Sequence, residues 1–246
     1  MSIFSSINRT ISIDRYINFL KSAKDRNFSF FRVKDAKYIS TTYHNIILRH
    51  DIDLSLEYAF EMAEIEAKEY IYSTYYVMLD GQFYNTLTPR NIDCLQKINN
   101  MGHEIGLHFD TSKYQNISHQ IKILESIIDD KVYSIAQHNP VNVGFVKNNI
   151  ENIIDAYSLI SHISNLEYIS DSGMVWRDYT FEEGLDLRKN LYLLAHPISW
   201  LNSRNDLISI IKEVKSKEIE NQKESFDIFI KEQLEYFEIR KNFFDR

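Results

Sequence analysis

The sequence predicts an α/β fold built on a parallel sheet, and two observations predict it. From residue 46 onward, short apolar runs rich in Ile, Val and Tyr alternate with amphipathic helical segments, the order expected of strands and crossover helices around a parallel sheet. The predicted strands also end in ionisable side chains, five of six doing so, as they do where strand-to-helix loops converge on a functional rim. A chain of 246 residues fits one α/β domain.

Taken in order, residues 13–25, IDRYINFLKSAKD, place Tyr16, Ile17, Phe19 and Leu20 at helical spacing, and FSFFRV follows as a short strand. Strands are predicted near 46–52 (IILRHDI), 72–79 (YSTYYVML), 103–109 (HEIGLHF), 132–138 (VYSIAQH), 168–172 (YISDS) and 191–197 (LYLLAHP). Helices are predicted near 55–69, 89–100, 115–128 and 147–160. Thr88 and Pro89 form a cap and first-turn pair, and Gly102 supplies the left-handed stop. From 203 to about 244 the sequence turns helical again, with the charged interval KSKEIENQKES reading either as a solvated helix face or as a break.

Composition narrows the function classes. The chain is 44% hydrophobic and 26% charged, ordinary for a globular protein with a core. A net charge of -7 argues against a nucleic-acid partner, which needs clustered Lys and Arg to neutralise phosphates. A single cysteine, Cys94, excludes an internal disulfide framework, and the first thirty residues lack the apolar segment of a signal peptide. The expected location is the cytoplasm. No run of about eighteen apolar residues is present to span a membrane.

The polar residues at the strand ends are His50, Asp51 and Asp53, then His108 and Asp110, His138, Asp171 and His196. In extended chain, residues two apart share a face, so Asp51 and Asp53 project together while His50 and Ile52 point away. GHEIGLHFD is not a zinc-protease HExxH helix, because His103 and His108 are five apart and on a helix diverge by about 140 degrees. As a strand it aligns Glu104, Gly106, His108 and Asp110 on one face, with Gly106 leaving room. Imidazole and carboxylate donors at one rim suit a divalent metal, most simply zinc, with an open position for substrate. Such a centre hydrolyses amides when a carboxylate accepts a proton and a histidine returns one. Blander readings stand beside these. Asp53 is a candidate N-cap for a helix starting near Ser55. His103 reads as structural, His44, His119 and His162 as surface residues, and Cys94 as buried. Arg49 is placed to pair with one carboxylate, and Trp176 and Trp200 lie near rim loops.

The stretches ILRHDID, MGHEIGLHFD, QHNP, YISDS and LLAHP, in that order over residues 46–200, resemble the polysaccharide deacetylase family. This is the NodB homology or carbohydrate esterase family 4 type, in its divergent members from bacterial surface-polysaccharide gene clusters. The resemblance implies a distorted (β/α) barrel of about seven repeats. Its domain would span 1–246, with the core at about 46–200, an N-terminal helix and strand addition over 1–45, and a long C-terminal helical extension over 201–246. It implies a divalent metal, usually zinc, and removal of acyl groups from N-acylated sugars. Asp51 looks like the catalytic base and Asp53 like a metal ligand, with the two roles open to exchange. His108 matches the first of two ligand histidines, and Ser112 stands where the second belongs. His138 or Asp110 replaces it, His138 being assigned to the metal set. His196 matches the catalytic acid, and Asp110, Asp171 and Trp200 are assigned to substrate binding, Asp171 alternatively orienting a neighbour. The implied substrate is a nucleotide sugar or a lipid-linked intermediate. Two other readings are a hydrolase of a cyclic imide, ureide or formamide on the same fold, and a catalytically degenerate sugar-binding member.

Overall fold

The computed structural model describes residues 10–39, 44–112, 116–146, 150–202 and 206–244. The chain divides into two compact units, 1–205 and 206–246. The first carries the strands β1 (Ser29–Phe31), β2 (Asn45–Ile52), β3 (Thr74–Val77), β4 (Glu104–Phe109), β5 (Ser134–Gln137), β6 (Ile154–Asp155), β7 (Leu166–Ser170) and β8 (Asn190–Ala195). Its helices are α1 (Ile13–Asp25), α2 (Leu56–Lys68), α3 (Pro89–Asn100), α4 (Ile117–Ile128), α5 (Pro140–Val143), α6 (Leu159–His162), α7 (Phe181–Gly184) and α8 (Pro197–Leu201). The second unit is α9 (Leu207–Phe244).

Every ladder is parallel, in the order β6-β5-β4-β3-β2-β8-β7. β1 pairs with Asn45–Ile47 of β2, and β3 takes Arg49–Ile52 of the same strand. The curled sheet is a distorted barrel with flanking helices. Among the described residues β6 and β7 share no ladder, and the gap between them is bridged by the Tyr157 and Tyr168 rings, 6.5 Å apart. β2, β3, β4, β5 and β8 are buried throughout, as expected of strands covered on both faces.

Local signals explain most boundaries. Ser12 caps α1, its hydroxyl accepting from the Arg15 amide. Thr88 caps α3 in the same way, with Pro89 in the first turn and Gly102 at φ +99 just beyond its end. One expected helix is corrected. Over 147–160 the described part forms β6, a 3-10 turn at Ala156–Ser158 and then α6, while 147–149 lie outside the described residues. Asn152 takes a left-handed φ of 62, and the Asp155 carboxylate accepts from the Tyr157 amide at 3.0 Å, so the helical spacing of the apolar residues is broken twice.

Inside the barrel, Gly106 is required by close packing. A Cβ there would lie 2.9 Å from the Ser134 carbonyl oxygen and closer still to the Tyr76 ring. The Tyr76 hydroxyl lies 2.7 Å from Ser134 Oγ, which donates to the buried Glu104 carboxylate at 2.6 Å. Gly106→Ala should therefore destabilise the chain by about 2–3 kcal/mol, read from its denaturant midpoint, because neither the backbone oxygen nor the locked ring can retreat. An unchanged midpoint would show that the interior relaxes.

Across β2 from that interior, His50 joins a second buried network. Glu66 of α2 accepts from His50 Nε2 at 2.7 Å, Ser73 Oγ at 2.6 Å, Tyr75 Oη at 2.9 Å and the Tyr16 hydroxyl of α1. Burial pushes the Glu66 carboxyl up, but the charge and hydrogen bond of His50 outweigh it and hold the group at about 2. With its folded value below the ordinary 4.5, Glu66 stabilises the fold above about pH 4.5 and loses that contribution as pH falls towards 2. His103 is structural, as its sequence position suggests, with Nε2 at 3.1 Å from the Ala63 carbonyl oxygen.

In the second unit, α9 runs unbroken through KSKEIENQKES, which is therefore helix rather than a break. Phe226, Phe229, Ile230, Leu234 and Phe237 on it are exposed. No helix among the described residues is long and apolar enough to cross a membrane.

Candidate metal and catalytic site

Each candidate side chain sits at, or one residue past, the C-terminal end of a strand: Asp51 and Asp53 at β2, His108 in β4, His138 after β5, Asp171 after β7 and His196 after β8. Parallel strands bring those ends to one edge, so groups far apart in sequence meet. Asp53 Oδ1 lies 3.4 Å from His108 Nε2 and 3.5 Å from His138 Nδ1, and those two nitrogens are 3.2 Å apart. Asp53, His108 and His138 are thus a set of donors that converge on one point.

Asp53 and His108, far apart in the sequence, meet here, and His138 joins them. Asp110 does not: its Oδ1 accepts from the Ser112 amide at 2.9 Å and Ser112 Oγ at 2.7 Å. The capping alternative for Asp53 also fails, since the N-cap of α2 is Ser55.

The donor set fits a divalent cation. The remaining nitrogen of His108, Nδ1, donates to the Ala136 carbonyl at 2.9 Å, which leaves the Nε2 lone pair facing Asp53 and His138. Asn139 Nδ2 lies 2.9 Å from His138 Nε2; the amide's nitrogen and oxygen are interchangeable by a flip, and with the oxygen on that side it accepts the Nε2 proton and frees Nδ1 as a ligand. Asp53 Oδ1 is buried and makes no hydrogen bond of good geometry, its polar neighbours being the His108 and His138 ring nitrogens. Burial raises the Asp53 carboxyl, but the neighbouring His108, His138 and His196 imidazoles hold it well below the usual carboxylate range. Burial likewise lowers His108, and the Asp51 and Asp53 carboxylates more than restore it. Protons therefore compete with a metal for this site.

Asp51 lies beside the cluster, its Oδ2 3.8 Å from His108 Nε2. That oxygen pairs with Arg49 Nη2 at 2.9 Å, whereas Oδ1 is buried and unpartnered. Arg49 is fully buried inside a tyrosine box: its guanidinium hydrogen-bonds the Tyr157 and Tyr192 hydroxyls at 2.9 and 3.2 Å and faces the rings of Tyr76, Tyr157 and Tyr192. The signal for Arg49 is legible in RHDID, where 49, 51 and 53 alternate onto one face. Tyr157 carries no such signal, because it falls in the segment that reads as helix.

His196 borders another donor, Nε2 lying 3.7 Å from Asp53 Oδ2. Its Nδ1 meets Asp171 Oδ1 at 2.6 Å, and its backbone amide donates to Asp171 Oδ2 at 3.0 Å. Trp200, one turn along α8, donates Nε1 to the same Oδ2 at 2.8 Å. Burial lowers the His196 imidazolium, but the Asp171 charge and hydrogen bond outweigh it and raise the group to about 9. Asp171 and Trp200 are both fully buried, and the contacts the structure gives them at this site are with His196 and with each other. Trp176 is buried as well, packed edge-on against Phe181 and Trp200.

No family model matches the chain, and no curated protein matches it. Solved structures do. The chain is similar to family 4 carbohydrate esterases. One from Bacillus anthracis is 12% identical, with 90% of this chain and 89% of that one covered and a TM-score of 0.37. The deacetylase PplD of Streptococcus pyogenes, in complex with acetate, is 13% identical over 80% and 88% of the two chains, with a TM-score of 0.44. A family 4 acetyl xylan esterase from Clostridium thermocellum, in complex with a cobalt ion, is 11% identical over 70% and 84%, with a TM-score of 0.40.

Proposed function

We propose that the chain is a metal-dependent amide hydrolase that removes the acyl group from an N-acylated, sugar-linked substrate. The observation that carries this reading is the donor triangle of Asp53, His108 and His138, bordered by a carboxylate oxygen without a partner and by a carboxylate-held imidazole. A divalent cation, zinc by the chemistry of its donors, supplies there the polarisation of the amide carbonyl and the acidification of water.

The chain's own groups supply the rest. Asp51 accepts a proton from the attacking water through Oδ1, while Arg49 holds Oδ2 and fixes the direction of the carboxylate. His196, protonated, donates from Nε2 to the departing amine nitrogen, and Asp171 with Trp200 keeps Nδ1 turned away from the substrate. Asp110, at the rim, is assigned a substrate contact. With the polysaccharide-deacetylase resemblance, these roles favour an N-acetylated nucleotide sugar or lipid-linked intermediate of surface-polysaccharide synthesis, processed in the cytoplasm. The test is acetate release from N-acetylated sugars, lost with a chelator and restored by zinc. Chelator-insensitive release, or no release from any such substrate, would refute the reading.

The acid role sets a pH dependence. Because the active form of His196 is protonated, turnover falls as pH rises through its value of about 9. Asp171→Asn removes the charge that raises that value and should move the alkaline limb of the kcat profile down by more than about one pH unit, towards the ordinary range near 6.5. An unmoved alkaline limb would remove His196 from the acid role.

A further inference from the structure

The carboxylate that completes the donor triangle is aimed by its backbone. His108 and His138 are held from behind by the Ala136 carbonyl and by Asn139, whereas the ion-pair partners of Asp53 are the imidazoles of His108, His138 and His196. Asp53 is the first residue past β2, so its direction is set where that strand ends. The β2–β3 ladder runs as far as Ile52 beside Val77. Beyond that pair the two chains are joined through a side chain: Tyr84 Oη donates to the Ile52 carbonyl at 2.8 Å and accepts from the Met78 amide at 3.0 Å. The Ile52 carbonyl belongs to the peptide that carries the Asp53 nitrogen, and a peptide is planar from one Cα to the next. Holding that oxygen therefore holds the plane on which Asp53 Cα lies.

We infer that Tyr84 is a positioning residue of the metal centre, its hydroxyl fixing the Ile52–Asp53 peptide so that the Asp53 carboxylate meets His108 and His138. The inference rests on the reading of those three side chains as a metal centre. The hydroxyl suits the task because what carries it is itself fixed. The Tyr84 ring is buried in the same core cluster as Ile52, Val77 and Met78. One loop grips Met78 from both sides: Tyr84 takes its amide, and Oγ1 of the fully buried Thr86 donates to its carbonyl at 2.8 Å. That loop runs on into the Thr88 cap of α3. The bridge thus ties β2 to β3 one step beyond their ladder, where Asp53 leaves the sheet. Binding constellations work only while each group stays within about 0.5 Å of its place, so a peptide free to tilt at Asp53 would spoil the triangle from its one side without a hold on the side chain.

The test is Tyr84→Phe in the full chain, which removes the hydroxyl and keeps the ring. Zinc affinity, measured by competition with a chromophoric chelator, should weaken by about ten- to a hundredfold, the usual effect of losing a group that orients a ligand. Cobalt(II) bound in place of zinc reports the geometry directly, and its visible absorption should shift or weaken. Tyr75→Phe is the matched control. It removes another buried phenol hydroxyl of the same core, the one that donates to Glu66, and should lower the melting temperature while leaving zinc affinity and the cobalt spectrum as they were. Should Tyr84→Phe not fold, Thr86→Val takes its place, because it slackens the same bridge by releasing the Met78 carbonyl and should likewise weaken zinc binding. Zinc affinity and a cobalt spectrum unchanged in the folded variant, or an equal weakening in Tyr75→Phe, would overturn the inference and leave the metal centre standing. An unsubstituted chain that takes up no zinc would overturn the metal-centre reading, and the inference with it.

Discussion

Asp51→Asn keeps its metal and loses turnover, by about two to four orders of magnitude, the range typical of removing a positioned general base. Asparagine matches aspartate in shape but cannot accept the water proton at Oδ1. The metal survives because the donor triangle is complete without Asp51, whose nearer oxygen is 3.8 Å from His108 Nε2 and already engaged by Arg49. A second consequence follows from the tyrosine box. Arg49 is fully buried, and losing its only carboxylate partner among the ion pairs of the described residues leaves a buried charge uncompensated, which costs about 3–5 kcal/mol. The variant should therefore melt earlier while retaining stoichiometric zinc. Metal analysis, kcat and a melting curve check the three parts together. If the variant lost its zinc, Asp51 would be the ligand and Asp53 the base.

The strands of the core and their rim residues are legible because buried parallel strands read as apolar runs, and five of the six predicted runs stop where a carboxylate or imidazole begins. RHDID shows more than its two aspartates: the period of two that pairs Asp51 with Asp53 also puts Arg49 on their face and sends His50 to Glu66. Spacing along the chain does not decide between His138 and Asp110 as the third donor. Both lie one residue past a strand, and only the turn in which Ser112 folds back on Asp110 removes that carboxylate from the centre. Trp200 reads as a rim aromatic because it follows AHP closely. The stacking of its ring on Phe181 at 5.4 Å and against Tyr16 at 5.1 Å, which turns it inward, joins elements distant in sequence. Tyr157 is hidden for a related reason: the helical spacing around it is genuine in the sequence, and a left-handed Asn152 overrides it.

Asp53→Ala, His108→Ala and His138→Ala should each abolish both zinc retention and activity, whereas Asp110→Ala should keep the zinc. The argument is one of edge lengths. Tetrahedral ligands at about 2.0–2.1 Å from an ion lie about 3.3–3.4 Å from one another, and the three separations here are 3.2, 3.4 and 3.5 Å. The two histidines are held from behind, His108 by the Ala136 carbonyl and His138 by Asn139. Deleting any one leaves two donors, too few to compete with water for the ion, so the loss should be complete rather than graded. His138→Ala is the sharpest of the set, because position 112, the other place for a third histidine, is serine. Zinc retained at one equivalent after dialysis of His138→Ala would mean that another group closes the centre. Zinc lost there and kept in Asp110→Ala would fix the third ligand, and with it the open face towards which Asp51 and His196 must work.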